Sequence, residues 1–434
     1  MEQYIKEYMD FLNRGKTERL CVKEMVKMAK AQGFKEFAEG MKLEAGDKVF
    51  LNNRGKMLLL ATIGKESLED GVNITAAHID SPRLDLKPKP LYEEGELAYL
   101  KTHYYGGIRK YQWVTIPLAL YGVVALKDGK LIDVAIGEGE EPKLVITDLL
   151  PHLAQEQSKK PLATGIEAEQ LNLLVGSEVL EGEESEAVKK NILKLLKDKY
   201  AFEEEDFISA ELEAVPATMS TLIGLDGSMI GAYGHDDRVC AFPAFKAMLD
   251  LEEVPAKTAV CILADKEEIG SEGVTGMKTR AFETFLEDLC NIEGASLRHC
   301  LAKSFCLSAD VTAAYDPNYP EAFEKRNQAL LGKGISLCKY TGARGKSGAS
   351  DASAETVAYV RRIFDEAGVK WQMSDMGKVD LGGGGTVALT MAERNIETID
   401  AGVPVLSMHA PFEVVSKHDC YMTYRAMKAV YLGK

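Results

Sequence analysis

The sequence lacks the features that mark membrane, secreted and repetitive proteins. No apolar run approaches the ~20 residues that a membrane-spanning helix needs. The segment MEQYIKEYMDFLNRGKTERL alternates charged and apolar residues, so it lacks the apolar centre of a signal peptide. Internal repeats and low-complexity tracts are also missing. These absences predict a soluble cytoplasmic protein that contacts no membrane.

Paired cysteines and an excess of basic charge are missing as well. The eight cysteines are scattered without a C-x-x-C pair, which predicts reduced, mostly buried thiols and no structural zinc framework. The net charge of −15 disfavours a nucleic-acid partner, because Lys and Arg drive the binding of phosphates. A chain of 434 residues is nevertheless long enough for two hydrophobic cores.

What is present is an alternation of apolar runs with helical segments. We interpret as strands Met57–Gly64, Val72–Asp80, Thr258–Asp265, Lys303–Asp310, Gly368–Met373, Thr386–Ala392 and Gly402–His409. Helical spacing occurs in Met1–Gly33, Arg238–Asp250, Lys278–Leu289, Asp351–Ala367 and Phe412–Leu432. This alternation is typical of an α/β fold with helices covering a sheet.

The middle of the chain has a different character. Short strand-like runs lie there around an Asp128-Gly129 step, which is typical of a tight hairpin turn. We therefore predict a mainly β dimerisation domain at residues 89–225, inserted into an α/β catalytic domain that consists of residues 1–88 and 226–434.

Metal-ligand side chains recur where the predicted strands end. In open α/β sheets, ligands bind beyond the carboxyl ends of the strands. The side chains in question are His78, Asp80, Asp236, Asp237, Asp265, Glu267, Glu268, Asp310, His409 and Glu413. Each one alone is weak evidence, but their convergence on one edge predicts a metal site.

The types of side chain narrow the metal. Two imidazoles with several carboxylates and no nearby cysteine suit Zn²⁺, Co²⁺ or Mn²⁺. One catalytic zinc needs three protein ligands, so a larger set favours two divalent ions that share a carboxylate. The spacing of His78 and Asp80 fits a carboxylate that orients a ligand imidazole. In the adjacent pair Glu267-Glu268, one side chain can bind metal while the other accepts a proton from water.

Five ordered motifs resemble the aspartyl aminopeptidase family of dinuclear zinc peptidases: ITAAHIDSPRLDLKPKP, GHDDRVCAF, DKEEIGSEGV, SADVTAAYDPNYPE and LSMHAPFEVVSKHD. The resemblance extends over essentially the whole chain. It implies that His78 and Asp310 bind one metal ion, that Glu268 and His409 bind the other, and that Asp236 bridges them. It implies that Glu267 is the general base and that Asp80 supports His78. It also implies a tetrahedral homododecamer.

The substrate pocket departs from the family pattern. The resemblance implies that a histidine of a neighbouring subunit enters the pocket, and His152 is the matching candidate. Where the family has a lysine that holds an acidic substrate side chain, this chain has ISLCKYTGARGKSGASDA, in which Lys339, Arg344 and Lys346 are the available cations.

The glycine-rich run before Thr386 includes Gly384. We interpret it as a turn near the substrate and not as a nucleotide loop, because it precedes a predicted strand.

The predicted function is therefore a metallo-aminopeptidase that acts on small peptides, with a preference for acidic N-terminal residues. Two alternatives remain open at this stage. One is a dinuclear-metal amidohydrolase that acts on N-acyl amino acids. The other is a non-catalytic oligomeric shell.

Overall fold

The computed structural model describes residues 1–433. Lys434, where the second part of the predicted catalytic domain ends, lies outside the described residues. The chain forms two compact units. Within the described residues, the first consists of residues 1–81, 220–408 and 413–433, and the second of residues 82–219 and 409–412.

The helices and strands are numbered in chain order. The helices are α1 (Glu2–Arg14), α2 (Glu18–Ala31), α3 (Leu162–Gly165), α4 (Ala187–Tyr200), α5 (His235–Leu249), α6 (Ala281–Glu293), α7 (Leu297–Ala302), α8 (Ala354–Glu366), α9 (Val387–Ala392) and α10 (Lys417–Leu432). The strands are β1 (Lys35–Glu36), β2 (Lys48–Asn53), β3 (Met57–Thr62), β4 (Asn73–His78), β5 (Arg83–Glu94), β6 (Leu97–Tyr105), β7 (Leu118–Ala125), β8 (Leu131–Ile136), β9 (Leu173–Gly176), β10 (Ala210–Pro216), β11 (Thr221–Ile223), β12 (Met229–Ala232), β13 (Ala259–Ala264), β14 (Phe305–Ser308), β15 (Thr312–Ala313), β16 (Ile335–Cys338), β17 (Gly342–Ala343), β18 (Trp371–Met373), β19 (Gly383–Gly384), β20 (Glu397–Gly402), β21 (Pro404–Leu406) and β22 (Glu413–Ser416).

The first unit is built on a mixed nine-stranded sheet, in the order β1-β2-β3-β13-β4-β14-β20-β16-β18 across the described residues. Both faces of this sheet are buried. Leu58 and Leu60 belong to a core that includes α5 and α10, whereas their neighbours Leu59 and Ala61 belong to a second core that includes α6. Continuous apolar strands arise because successive side chains enter opposite cores.

Most of the predicted elements of this unit are confirmed, and the α/β fold with a mixed sheet is confirmed. The strand predicted at Thr386–Ala392 is wrong, because residues 387–392 form α9. The Thr386 hydroxyl accepts a hydrogen bond from the Ala388 N–H and caps this helix. The helix predicted to begin at Phe412 begins at Lys417 instead, after β22.

The second unit contains a six-stranded antiparallel sheet in the order β8-β7-β10-β5-β6-β9. The turn predicted at Asp128-Gly129 joins β7 to β8, and Gly129 has a φ of 86°, which a glycine adopts without strain. Helix α4 contacts β5, β6 and β9 of this sheet.

Two further expectations bear on the chain as a whole. None of the helices within residues 1–433 is long and apolar enough to cross a membrane. All eight cysteines are free and buried, as predicted.

Candidate metal centre

Three neighbouring parallel strands deliver the principal side chains to one edge of the nine-stranded sheet. Strand β4 pairs in parallel with β13 on one side and with β14 on the other. His78 is the last residue of β4. Glu267 and Glu268 follow β13, and Asp310 follows β14. The carboxyl ends of the three strands therefore bring together side chains that lie far apart in the sequence.

His78 lies at the centre of this group and is almost fully buried. Its Nε2 is 3.2 Å from Asp236 Oδ1, 3.8 Å from Glu267 Oε2 and 3.9 Å from Asp310 Oδ1. Its Nδ1 lies 3.0 Å from the Asp80 carbonyl oxygen and 3.3 Å from Asp80 Oδ1. The hydrogen bond from Nδ1 leaves the lone pair of the neutral imidazole on Nε2, which faces the carboxylates.

Asp80 connects the imidazole to the glutamate pair. Its Oδ1 accepts a hydrogen bond from the Glu267 N–H at 3.1 Å, and its Oδ2 accepts one from the Glu268 N–H at 3.2 Å. The Asp80 side chain is fully buried, so both bonds are shielded from water. One carboxylate thus fixes the ring of His78 and the backbone turn Glu267–Ile269 at the same time.

The start of α5 supplies two further carboxylates, because the backbone of Asp236 and Asp237 departs from helical geometry there. The Asp236 N–H donates a hydrogen bond to Glu413 Oε2 at 3.0 Å. The carbonyl oxygen of Asp236 accepts a hydrogen bond from the Ser81 hydroxyl at 2.6 Å. Asp237 Oδ2 accepts a hydrogen bond from the His78 N–H at 3.3 Å. Both aspartates are therefore held through backbone contacts.

Crowded negative charge dominates the electrostatics of the site. Burial raises the pKa of Asp310 well above its usual range, and the neighbouring carboxylates of Glu267 and Asp237 raise it further. Burial lowers the pKa of His78, but the carboxylates of Asp236 and Asp80 outweigh that effect, so the pKa of His78 is raised. Negative charge thus adds to the effect of burial at Asp310 and overcomes it at His78, and a bound cation would neutralise that charge.

The donor set fits divalent metal ions. The donor atoms of His78, Asp236 and Glu268 lie within 4.8 Å of one another, as do those of His78, Asp237 and Asp310. Imidazole nitrogen and carboxylate oxygen are the donors of catalytic zinc sites and also suit Co²⁺ and Mn²⁺. The residues present therefore suit the metal that the sequence predicts.

His409 belongs to the second unit and is partly exposed. Its Nδ1 is 2.9 Å from the carbonyl oxygen of Gly107 in the same unit. A hydrogen bond from Nδ1 fixes the tautomer in which Nε2 is the ligating atom, so the role predicted for His409 stays chemically consistent. His152 also lies in the second unit and is exposed.

The first unit contains a pocket of ≈ 70 Å³, and Asp400 lies in its lining. Sequence analysis missed Asp400, which is the fourth residue of β20 and is almost fully buried. The Ser308 hydroxyl donates to Asp400 at 2.6 Å, and burial raises the pKa of Asp400 to about 7. The only sequence signal for this residue is a polar side chain in the short apolar run TIDAG.

Of the residues predicted to bind substrate near this pocket, some line it and others do not. Gly384 lines it together with Arg344 and Lys346. Lys339 is not among the described residues of its lining, and its Nζ is 3.3 Å from Asp351 Oδ1. Lys378, which the sequence did not indicate, is an exposed side chain in the lining.

The context argument for the glycine-rich run was wrong, since the run precedes α9 and not a strand. Gly383 and Gly384 pair with Ala343 and Gly342 in a two-stranded ribbon. A Cβ atom on Gly383 would lie 2.1 Å from the Gly342 carbonyl oxygen, so close backbone pairing requires glycine there. This structural role explains the run without a nucleotide.

Comparisons with known proteins identify the family of this chain. A model of the family described as aminopeptidase I zinc metalloprotease (M18) matches residues 11–431. The probable M18 family aminopeptidase 1 of Clostridium acetobutylicum is 51% identical over 432 residues, which cover 97% of this chain and 93% of that relative.

Solved structures agree as well. The crystal structure of an M18 family aminopeptidase from Thermotoga maritima has a TM-score of 0.96 and 44% identity, covering 100% of this chain and 96% of that one. The crystal structure of aminopeptidase I from Clostridium acetobutylicum has a TM-score of 0.93 and 49% identity, covering 98% and 94% respectively. The comparisons do not favour the N-acyl amidohydrolase or the non-catalytic shell. The chain therefore belongs to the aminopeptidase I (M18) family of zinc metalloproteases and is a metallo-aminopeptidase.

Proposed function

We propose that the chain releases N-terminal residues from small peptides with two divalent ions, zinc above all, and with Glu267 as the general base. The observation that carries this proposal is the position of His78 Nε2, which faces Asp236, Glu267 and Asp310 within 3.9 Å. One imidazole among several carboxylates at the carboxyl ends of three parallel strands suits metal-assisted hydrolysis.

The proposed ligands are divided between the two ions. His78 and Asp310 bind one ion, Glu268 and His409 bind the other, and Asp236 bridges them. Asp237 also lies near His78 and Asp310, but its Oδ2 already accepts the His78 N–H. We therefore assign Asp237 to positioning the backbone of His78.

When bound, the ions supply Lewis-acid activation of water and of the substrate carbonyl group. Glu267 accepts the proton of the attacking water and later donates it to the leaving amine. The backbone of Glu267 is held by Asp80, which also fixes the His78 ring. The partly buried Glu267 side chain thus works from a turn that hydrogen bonds keep in place.

A panel of dipeptides with Asp, Glu, Leu, Lys and Ala at the N-terminus tests this function in the presence of Zn²⁺, Co²⁺ or Mn²⁺. We expect metal-dependent release of the first residue by the wild type and release at least about 100-fold slower by Glu267→Gln. Undiminished release by Glu267→Gln would refute the assignment of the base. A wild type that releases no N-terminal residue with any metal would refute the proposed activity.

The proposed preference for acidic N-terminal side chains is supported by the cations in the lining of the 70 Å³ pocket, Arg344, Lys346 and Lys378, which outnumber its carboxyl groups, Asp375 and Asp400. Lys346 contacts Asp351 at 3.1 Å, as Lys339 does at 3.3 Å, so a carboxylate already balances these two cations. Arg344 and Lys378 line the pocket as exposed cations. We therefore transfer the selective role from Lys339 to Arg344 and Lys378.

The double variant Arg344→Met/Lys378→Met tests this selectivity, and Lys339→Met is its matched control. Losing two charge contacts should lower kcat/KM for Asp and Glu substrates at least tenfold, while Ala substrates change little. Lys339→Met should leave the ranking of substrates unchanged. Equal losses on Asp and Ala substrates would contradict the selective role without affecting the proposed activity.

The oligomeric state is also a proposal. A neighbouring solved structure, that of mApe1 from S. cerevisiae, is a dodecamer and has a TM-score of 0.80 at 22% identity. Beside His152, the side chains of Leu149, Leu150 and Leu153 are 52%, 49% and 68% exposed, as expected of a surface that another subunit covers. We propose a homododecamer in which His152 acts in the site of a neighbouring subunit.

Light scattering tests the assembly, and complementation tests the histidine. His152→Ala and Glu267→Gln should each be nearly inactive alone, and co-expression should restore activity, because a mixed assembly contains sites with both wild-type residues. A monomeric wild type, or no restoration in mixed assemblies, would contradict the role of His152 in a neighbouring site.

The free buried cysteines support the further proposal that the protein works in the reducing cytoplasm.

A further inference from the structure

A buried cation, the side chain of Lys56, contacts Asp265, which lies two residues before Glu267. Lys56 belongs to the turn between β2 and β3 and is only 8% exposed. Its Nζ is 3.2 Å from Oε1 of Glu18, a fully buried residue at the start of α2, and 3.8 Å from Asp265 Oδ2. One lysine thus links two buried carboxylates from different parts of the first unit.

Asp265 is the base of the turn that bears the glutamate pair. Its N–H donates to the Thr275 carbonyl oxygen at 3.1 Å, and its Oδ2 accepts a hydrogen bond from the Thr275 hydroxyl at 2.6 Å. These bonds close the segment 265–275 into a loop. Within the loop, the Ser271 N–H donates to the Lys266 carbonyl oxygen at 2.7 Å.

The hairpin formed by β2 and β3, which carries Lys56, makes a second contact with this loop, at Val274. Asn53 Nδ2, at the end of β2, donates to the Val274 carbonyl oxygen at 2.9 Å. On the side of the metal centre, Asp80 holds the Glu267 and Glu268 N–H groups. The loop is therefore held by Asp80 at Glu267 and Glu268, by Asn53 at Val274 and by Lys56 at Asp265.

The charges explain why a lysine occupies this position. Burial and the Glu18 and Asp80 carboxylates together raise the pKa of Asp265 to about 6, although Lys56 and the Thr275 hydrogen bond oppose the rise. Lys266 Nζ also lies 3.8 Å from Asp265 Oδ2 but is partly exposed, whereas Lys56 is buried and contacts both carboxylates. Without Lys56, the buried carboxylates of Glu18 and Asp265 would repel each other more strongly, which would displace Asp265 from its place in the loop.

We propose that Lys56 is a positioning residue for catalysis, which holds the Glu267–Glu268 turn in register through Asp265. This inference rests on the proposed function for its kinetic readout. A displacement of about 1 Å at the reacting groups can cost roughly 100-fold in rate. Removing the Lys56 charge should therefore act mainly on kcat.

The test compares three variants. Lys56→Met removes the cation at similar side-chain length. Glu18→Gln/Lys56→Met also removes one carboxylate, so less uncompensated charge remains. Lys246→Met is the matched control, because Lys246 contacts Glu7 at 3.3 Å and Asp250 at 2.8 Å and takes no part in this network. Each variant is measured for kcat, KM, melting temperature and the visible absorption of the Co²⁺-loaded protein.

We expect Lys56→Met to lower kcat by about 10- to 100-fold while KM stays within about twofold. Its Co²⁺ spectrum should change, because Glu268 moves with the turn. The double variant should regain melting temperature but not kcat. Lys246→Met should lose melting temperature with kcat and spectrum unchanged.

Two results would overturn the inference. One is a Lys56→Met enzyme with wild-type kcat and spectrum. The other is a double variant in which kcat recovers together with melting temperature, since Lys56 would then serve stability alone. If Lys56→Met does not fold, Thr275→Val probes the same path, with an expected loss in kcat of about 10- to 100-fold from one hydrogen bond to a carboxylate. Wild-type kcat in that variant would equally overturn the inference. If the wild type has no peptidase activity, the proposed function fails, and the Co²⁺ spectra still test the position of the turn.

Discussion

Replacing Asp80 by Asn tests the central contact of the site. The change conserves size but removes the charge, and an amide presents one oxygen and one NH₂ group. The Asp80 carboxylate accepts hydrogen bonds from the Glu267 and Glu268 N–H groups at 3.1 and 3.2 Å and lies 3.3 Å from His78 Nδ1. In Asp80→Asn, one oxygen has to serve donors that two oxygens serve now, and the NH₂ group meets another donor.

The expected loss follows from these contacts. One charge-assisted hydrogen bond contributes ~1.5–3 kcal/mol, and a buried donor without an acceptor costs a similar amount. A net loss of about 2–3 kcal/mol in transition-state stabilisation corresponds to a roughly 30- to 150-fold lower kcat/KM. The affinity for metal should fall by about 10- to 100-fold, because the carboxylate also orients the ligand His78.

Initial rates at saturating zinc measure the first effect, and competition with a chelator measures the second. Asp47→Asn is a suitable control. Asp47 Oδ2 accepts the Glu44 N–H at 2.8 Å, but it precedes β2 at the opposite edge of the sheet from His78. The control should retain wild-type rates and metal affinity. An Asp80→Asn enzyme within threefold of the wild type in both measurements would show that this contact does not organise the site.

Three further predictions concern the base, the metal and a buried carboxyl group. Glu267→Gln should lower kcat by about 10²- to 10⁴-fold, as expected for loss of a general base, while zinc content measured by atomic absorption stays at the wild-type level. Removing metal with a chelator should abolish activity and lower the melting temperature, because bound ions stabilise only the folded state, and added Zn²⁺ should restore both. Burial raises the pKa of Asp419 to about 7, although it accepts the Gly332 and Gly334 N–H groups. The stability that this raised pKa contributes is therefore complete below ~pH 4 and is lost as pH rises through 7, by up to about 4 kcal/mol. Urea denaturation from pH 5 to 8 should show that the free energy of unfolding declines less steeply with pH in Asp419→Asn than in the wild type. An unchanged slope would contradict the contribution of Asp419 to this pH dependence.

The sequence predicts the centre of the fold well because the central strands are long apolar runs. Strands β3, β4, β13 and β14 are buried on both faces, so their apolar character is continuous. The polar side chains that follow β4, β13 and β14 are conspicuous against those runs. The same pattern identifies His78, Glu267, Glu268 and Asp310.

Short segments and buried polar groups are harder to predict. Val387–Ala392 contains β-branched residues and is only six residues long, so periodicity cannot distinguish a strand from a helix there. The sequence does not indicate Asp400, because this residue lies inside a strand and its partner Ser308 is on a neighbouring strand. The contact of Lys56 with Asp265 is equally long-range, so neither segment alone indicates it.

The pairing of β4 also determines how the protein can fold. Asn73 pairs with Ala259 and with Phe305, which both follow residues 82–219 of the second unit in the chain. Such long-range pairing is slow, because loop-closure entropy is lost before any contact compensates for it. The side chains proposed to bind metal converge only after these pairings form. Zinc is therefore expected to bind a sheet that has already assembled, so metal added during refolding should increase the yield of active enzyme without accelerating formation of the sheet.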